Sequence, residues 1–287
     1  MAVIAITVHH TRSEAMALAR DLASWLSGQG HRVLACAEDA ELFGSEVGID
    51  IVGHESRAIL GGADLVVALG GDGTVLRTVE LLGGTPVPIL GVNLGQLGYL
   101  TEVEPHEVHN AITRVLDGDH EIEHRMLLEV VVGPPVSQQR FLALNEALVD
   151  RTLSGHTVRM DVAIDGRVFT PYEVDALIVG TPTGSTAYGY SAGGPIVAPT
   201  HRLIVLTPVS PHMLFDRTLV LEASSTVQVT MAGHRPGALI IDGRLVRELA
   251  PGESVRCTAA DEQAHLVVFG PRDFPGLLKA KFKLSDR

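Results

Sequence analysis

One acidic residue lies among three glycines in the segment Gly70-Gly71-Asp72-Gly73-Thr74. The apolar run before it predicts a buried parallel strand, and residues 74–82 have the composition of a helix. A glycine-rich turn between a strand and a helix directs backbone N–H groups and the positive end of the helix dipole at one point, which suits it to bind phosphate. We expect the glycines to adopt unusual φ and ψ angles and to let a ligand approach the backbone closely.

The acid changes what this turn is expected to do. The carboxylate of Asp72 would repel a phosphate unless a metal ion or a substrate hydroxyl lay between the two groups. A phosphate-binding turn that contains an acid therefore indicates phosphoryl transfer to a hydroxyl. A purely structural connection between strand and helix is the weaker interpretation.

A second candidate site is the segment 181–195, which is dense in glycine, hydroxyl side chains and small residues. Such a loop can surround a polar ligand with amides and hydroxyls, and Tyr188 could stack on a base. Within the loop, Gly189-Tyr190-Ser191-Ala192-Gly193 matches the Gly-x-Ser-x-Gly turn of esterases. That turn requires a strand directly before it and a helix directly after it, and neither is predicted here, so we interpret the match as accidental.

Three further polar residues stand next to apolar segments. Asn145 and Glu146 lie side by side in the predicted strand 141–150, where neighbouring side chains face opposite sides. Asp175 precedes a strand that is predicted to be buried, where an acid is costly without a partner. Each of these side chains either binds a ligand or is a hydrogen-bonded structural residue, and the sequence leaves both possibilities open.

Composition narrows the class of protein. The chain has 287 residues, a mean hydropathy of +0.24 and a net charge of −12, which argues against nucleic acid or an anionic membrane as a partner. Its apolar runs are strand-length and too short to cross a bilayer, so a buried sheet explains the hydropathy. The first ten residues lack a basic segment and predict a strand instead of a signal peptide. The two cysteines, Cys36 and Cys257, are expected to be reduced thiols of a cytoplasmic protein.

Two patterns divide the chain into an α/β domain and a mainly-β domain. Residues 1–125 alternate strands and helices, which predicts a Rossmann-like parallel sheet covered by helices, and 270–287 are expected to pack back on it. Residues 126–269 follow a period of two, which predicts a C-terminal mainly-β domain. The tetrapeptide Ile-Asp-Gly-Arg occurs at 164–167 and 241–244, and each copy predicts a hairpin turn. Residues 38–62 are expected to be an irregular, mobile connection.

Taken together, these segments resemble the NAD kinase family over most of the chain. The resemblance rests on residues 70–74, 91–100, 143–146 and 181–195 and on Asp242-Gly243. The first motif is shared with lipid kinases and phosphofructokinases. By contrast, Thr-Pro-Thr-Gly-Ser-Thr-Ala-Tyr, followed by Ser-Ala-Gly-Gly-Pro, is highly specific.

The resemblance implies an enzyme that transfers a phosphate to the adenosine-ribose 2′-hydroxyl of NAD and so makes NADP. The donor is the γ-phosphate of ATP or, in some members, polyphosphate. Asp72 takes the position of the family's motif Asp, the candidate general base. The positions expected at the ATP phosphates are Gly70, Gly71, Gly73, Thr74 and Arg77. The positions expected to hold the dinucleotide are Asn145, Glu146, Asp175, Thr183, Thr186, Ala187, Tyr188 and Ser191.

The resemblance also implies partners. Mg²⁺ or another divalent metal ion is expected to bind mainly through the ATP phosphates, with no metal site built by the chain itself. Sites between domains and subunits imply a homodimer or a homotetramer.

One departure from the family pattern leaves the acceptor open. Family members usually place glycine on both sides of the motif Asp that falls on Asp175, and serine before Thr-Pro-Thr-Gly. This chain has Val174, Ala176 and Gly180 instead. The alternatives are a kinase of the same fold that acts on another adenosine-like acceptor, and a nucleotide-binding regulator without activity.

Overall fold

A computed structural model describes residues 1–36, 38–39, 43, 49–52, 60, 62–95, 97–152 and 156–284. The chain forms two compact units, the first built from Met1–His124 and Ala264–Arg287 and the second from Arg125–Gln263. Among the described residues, no helix is long and apolar enough to cross a membrane.

The helices and the strands are each numbered in chain order. The helices are α1 (Ser13–Gly28), α2 (Asp72–Leu82), α3 (Val108–Leu116), α4 (Tyr188–Ser191) and α5 (Phe274–Phe282). The first-unit strands are β1 (Val3–Val8), β2 (Arg32–Cys36), β3 (Ile49–Val52), β4 (Leu65–Gly70) and β5 (Pro88–Asn93). The remaining strands are β6 (Glu121–Val132), β7 (Gln139–Ala143), β8 (Glu146–Arg151), β9 (Val158–Ile164), β10 (Arg167–Val174), β11 (Ala176–Gly180), β12 (Leu203–Val209), β13 (Leu219–Glu222), β14 (Val227–Ala232), β15 (Gly237–Ile241), β16 (Arg244–Leu249) and β17 (Ser254–Val268).

The first unit contains a parallel sheet in the order β3-β2-β1-β4-β5, and the last residues of β17 add to β5 in parallel. Helices α1 and α3 pack with the sheet in one apolar cluster, whereas α2 lies on the other face, where Thr78 is hydrogen-bonded to Thr7 at 2.7 Å. The strand order reverses between β1 and β4, which is the point where sheets of this kind bind ligands beyond the strands' carboxyl ends. The glycine-rich turn follows β4 at that edge.

One expectation for the first unit was wrong. The segment 38–62 was expected to be an irregular, mobile connection, but residues 49–52 form strand β3, which pairs in parallel with β2. Four residues carry too little periodicity to be distinguished from a loop. Residues 37, 40–42, 44–48, 53–59 and 61 lie outside the described part of the chain.

The second unit is built from two antiparallel sheets. One sheet has the order β13-β12-β11-β8-β15-β16, and the other contains β10-β9-β14-β17 and the β6–β7 pair. Buried side chains of both sheets, among them Val162 of β9 and Leu206 of β12, form one apolar core. The predicted fold class, an α/β domain followed by a mainly-β domain, is confirmed.

Both predicted hairpins are present. Asp165 and Gly166 join β9 to β10 with φ values of 51° and 74°, and Asp242 and Gly243 join β15 to β16 with φ values of 47° and 82°. Positive φ at both central residues is the geometry that Asp-Gly favours in two-residue hairpins.

Candidate functional site

The glycine-rich turn joins β4 to α2 with no residue in the left-handed region. Positive φ occurs at other glycines but not at Gly70, Gly71 or Gly73, so the expectation of unusual backbone angles here was wrong. Instead, glycines occur at these positions because a side chain there would take up space. A Cβ on Gly70 would lie 2.1 Å from Thr74 Oγ1, whereas a Cβ on Gly71 or Gly73 would meet no atom of a more distant described residue within 4 Å. The last two glycines therefore leave open space at the N-terminus of α2, where a phosphate would be stabilised.

Asp72 is held by the backbone of a neighbouring loop. Its Oδ2 accepts a hydrogen bond from the Tyr99 N–H at 2.8 Å, and its Oδ1 accepts one from the Leu100 N–H at 2.9 Å. Gly98 lets this loop approach, because a Cβ on Gly98 would lie 2.3 Å from Asp72 Oδ1. A carboxylate oxygen has room for about two hydrogen bonds, so each oxygen of Asp72 keeps acceptor capacity for a substrate proton.

Arg77, which was expected at the ATP phosphates, has other partners. Its Nη1 lies 3.0 Å from Asp39 Oδ1, and its Nη2 lies 3.0 Å from Glu38 Oε2. Asp39 is fully buried and also pairs with His10 at 2.5 Å. These two carboxylates neutralise the guanidinium in this structure. The expected contact of Arg77 with the ATP phosphates stays a prediction.

Asn145 and Glu146 lie where the second unit breaks a strand. The predicted strand 141–150 is interrupted, since β7 ends at Ala143 and β8 begins at Glu146. The carboxylate of Asp242 lies under this break and accepts the N–H groups of Leu144, Asn145 and Glu146 at 2.7, 2.8 and 3.0 Å. Asp242 thus replaces the pairing that the backbone loses at the break.

Glu146 is a buried acid with an unmet hydrogen-bonding requirement. The residue is 7% exposed, and Oε2 has no hydrogen-bond partner among the described residues. Burial, reinforced by the neighbouring carboxylate of Asp242, raises the pKa of Glu146 from 4.5 to about 8. An unsatisfied buried polar atom is costly in a native protein, and a polar ligand would satisfy it.

Glu146→Gln is expected to make the protein more resistant to heat at alkaline pH. The unfolded carboxyl ionises near pH 4.5 while the folded one keeps its proton up to about pH 8, so this group lowers stability as the pH rises between those values. Glutamine removes that loss. Thermal unfolding from pH 5 to 9 should show a variant-minus-wild-type difference in Tm that grows up to about pH 8. Glu222→Gln, at an exposed glutamate of the same unit, is the control, and a pH-independent difference for Glu146→Gln would contradict a raised pKa.

Asp175 lies between β10 and β11 beside charged and aromatic groups. Its Oδ1 forms an ion pair with Arg151 Nη1 at 2.5 Å, which is the partner that an acid at this position requires. Burial and the carboxylates of Asp150 and Asp175 raise the pKa of Tyr188, whose side chain is 41% exposed. Asp175, Arg151 and Tyr188 therefore belong to one polar neighbourhood of the second unit.

The hydroxyl-rich segment has a buried and an exposed part. Thr183 is buried, and the buried Arg125 donates to its Oγ1 at 3.2 Å. Thr186 and Ala187 are partly exposed, and Ser191 is exposed. No helix continues beyond Ser191, where α4 ends after four residues, so the esterase turn that the sequence analysis excluded is not formed. Among the described residues, no group of His, Cys, Asp or Glu is arranged to hold a metal ion.

Comparison with known proteins decides the family. The family models of the ATP-NAD kinase N-terminal and C-terminal domains match residues 4–120 and 144–269. The chain belongs to the ATP-NAD kinase family. It is an enzyme that uses ATP to phosphorylate NAD.

Individual relatives cover nearly the whole chain. An NAD kinase from Heliobacterium modesticaldum is 36% identical over 286 residues, which span 99% of each protein. NAD kinase 2 from Streptomyces coelicolor is 39% identical over 263 residues, 90% of this chain and 86% of that relative. The crystal structure of yeast NADH kinase complexed with NADH is 27% identical, with a TM-score of 0.88 over 100% of this chain and 89% of that one. An NAD kinase from Archaeoglobus fulgidus in complex with ATP, 22% identical with a TM-score of 0.74 over 98% of this chain and 99% of that one, shares the fold.

The two residues that flank Asp175, Val174 and Ala176, differ in their surroundings. Val174 lies fully buried in the core between the two sheets of the second unit, so its side chain packs against other apolar side chains of that core. Ala176 is buried in a smaller cluster with Leu148 and Ile178, against which Ala192 packs. Of the two, Ala176 is therefore the one whose apolar cluster packs against a residue of the hydroxyl-rich segment.

Sequence reasoning did not single out several groups that shape the site of this ATP-NAD kinase. Tyr99 and Leu100 act through backbone N–H groups, which no side-chain pattern reveals. Gly98 and Asp242 were noted only as parts of motifs. The only signal for Asp242 in the sequence was the second copy of Ile-Asp-Gly-Arg. That copy predicts a hairpin turn, and it does not indicate that the Asp242 side chain accepts the N–H groups at the 144–146 break.

Proposed function

We propose that this kinase phosphorylates the adenosine-ribose 2′-hydroxyl of NAD, with Asp72 as the general base. The observation that carries the proposal is the placement of Asp72: a carboxylate fixed by two N–H groups at the first residue of α2, beside glycines that leave open space. As the hydroxyl oxygen attacks the γ-phosphorus of ATP, Asp72 accepts its proton and ADP leaves.

The N–H groups at the start of α2 are proposed to contact the ATP phosphates. The chain carries a net charge of −12, so local groups have to hold the anion. The donor is proposed to be the Mg²⁺ complex of ATP, in which the metal ion is ligated mainly by phosphate oxygens and offsets their charge.

The acceptor is proposed to bind groups of the second unit. Glu146 offers its buried Oε2, which has no hydrogen-bond partner in the described part of the chain, to a ribose hydroxyl. Tyr188 offers an exposed ring to a base. Asn145, Asp175, Thr183, Thr186, Ala187 and Ser191 are proposed to complete the dinucleotide contacts.

The protein is proposed to be located in the cytoplasm, which contains ATP and NAD and in which thiols such as Cys36 and Cys257 stay reduced. A homodimer or homotetramer is proposed because exposed apolar side chains, among them Val168 and Leu245, occur in the second unit. Light scattering on the purified chain tests the assembly.

An acceptor panel tests the proposed reaction. Purified protein with ATP and Mg²⁺ would be given NAD, NADH and ADP-ribose, with polyphosphate as a second donor, and products would be identified by mass. We expect NAD to gain one phosphoryl group, and activity to disappear in EDTA and return with Mg²⁺. Phosphorylation of ADP-ribose but not of NAD would contradict the proposed acceptor, and full activity in EDTA would contradict a metal–ATP donor.

Gly73→Ala is expected to raise the KM for ATP by about tenfold or more without loss of stability. In the part of the chain that the structure describes, the new Cβ would meet no atom within 4 Å apart from its neighbours in the chain and its own helix. Because alanine is also the better helix former, folding should not suffer. A ligand that approaches the backbone closely would meet the methyl group. Initial-rate kinetics and Tm measure the two effects. An unchanged KM for ATP would exclude phosphate from this face of the turn, and Gly28→Ala, in α1 with equally open space, is the control.

A further inference from the structure

The chain after β17 returns to the loop that holds Asp72. Arg272, whose side chain is 15% exposed, donates from Nη1 to the Tyr99 carbonyl oxygen at 3.0 Å and from Nε to Glu102 Oε2 at 3.0 Å. Glu102 is fixed in turn, because its Oε1 accepts the Phe269 N–H at 3.0 Å. All these residues belong to the first unit.

A single peptide group connects Arg272 with Asp72. The carbonyl of Tyr99 and the N–H of Leu100 are the two ends of one planar amide. Arg272 binds the oxygen of this amide, and its N–H binds Asp72 Oδ1 at 2.9 Å. A cation on the oxygen polarises the amide and strengthens the hydrogen bond that its N–H donates, because hydrogen bonds in a chain reinforce one another.

We propose that Arg272 is a positioning residue for Asp72 and acts through the Tyr99–Leu100 peptide. The guanidinium fixes the plane of this peptide, so that its N–H keeps Oδ1 oriented and leaves the carboxylate's other acceptor positions to the substrate. The inference rests on the proposed role of Asp72 as general base. It adds to that role a residue about 200 positions away in the sequence, on a segment that no nucleotide motif covers.

Arg272→Met is expected to lower kcat for NAD phosphorylation by about 10- to 100-fold, the range for loss of a charge-assisted hydrogen bond. The KM values for ATP and NAD should stay within about twofold, because the lost contact orients the base and not the substrates. Arg272→Lys keeps the charge and should restore part of kcat. Arg114→Met is the matched control. The guanidinium of Arg114 also contacts the C-terminal segment, 4.3 Å from the centre of the Phe269 ring, but it forms its ion pair with Asp119.

A double-mutant cycle separates positioning from general destabilisation. If Arg272 acts through Asp72, adding Arg272→Met to Asp72→Asn should change the residual kcat by less than about threefold. Equal fractional losses in both backgrounds, or a wild-type kcat in Arg272→Met, would overturn the inference. If Arg272→Met does not fold, the same comparison of kcat is made with Arg272→Lys, in the wild-type background and in the Asp72→Asn background. Near-normal turnover in Asp72→Asn alone would instead refute the proposed base, which keeps the two failures distinct.

Discussion

Asp72→Asn is expected to lower kcat by about 10²–10⁴ while the protein stays folded and binds both substrates. Asparagine has nearly the same size and keeps one acceptor oxygen, which can accept from the N–H of either Tyr99 or Leu100 but not from both as the carboxylate does. It cannot take the proton of the acceptor hydroxyl. Steady-state kinetics, with calorimetry for NAD binding, measure the two effects separately.

Asp64→Asn is the matched control for this substitution. Asp64 is an acid of the same unit that also accepts a backbone N–H, from Val3 at 2.7 Å, but it precedes β4 at the sheet edge opposite to the glycine-rich turn. Its replacement should leave kcat unchanged. Turnover near the wild-type value in Asp72→Asn would remove Asp72 from the mechanism.

Asp242→Asn is expected to raise the KM for NAD by about tenfold or more and to destabilise the protein by about 2–3 kcal/mol. The carboxylate accepts three N–H groups at the 144–146 break, and asparagine offers one uncharged acceptor in their place. The backbone that carries Asn145 and Glu146 should then lose its fixed position. Initial-rate kinetics and urea unfolding measure the two effects.

The chain contains its own control for Asp242. Asp165 occupies the same position in the other Ile-Asp-Gly-Arg hairpin, with φ of 51°, and its Oδ1 accepts the N–H of Thr226 at 2.8 Å. Asp165→Asn makes the same chemical change in the same turn geometry without touching the 144–146 break. We expect it to leave the KM for NAD unchanged. Equal effects of the two substitutions would show that Asp242 supports its hairpin only.

Local patterns predicted the fold well. Alternating strands and helices and the period-two pattern after residue 126 reflect which faces are buried, and burial is set along short stretches of chain. The Asp-Gly hairpins were predictable because two adjacent residues determine the turn.

Long-range contacts explain what the sequence did not predict. The ion pairs of Arg77 with Asp39 and Glu38 join residues almost 40 positions apart, and the local pattern around the glycine-rich turn does not indicate them. The break between β7 and β8 depends on Asp242, which is 97 positions from Asn145. Polar partners so far apart leave no periodicity in either segment, so pattern analysis does not detect them.

The most direct test of the proposed chemistry is the ³¹P NMR spectrum of the product made from NAD and Mg²⁺–ATP. With the wild-type enzyme, we predict one new phosphomonoester signal that matches the 2′-phosphate of authentic NADP. Asp72→Asn at equal concentration should bind NAD and give almost none of it. A phosphate at another position, or equal product from the variant, would contradict transfer to the 2′-hydroxyl with Asp72 as the base.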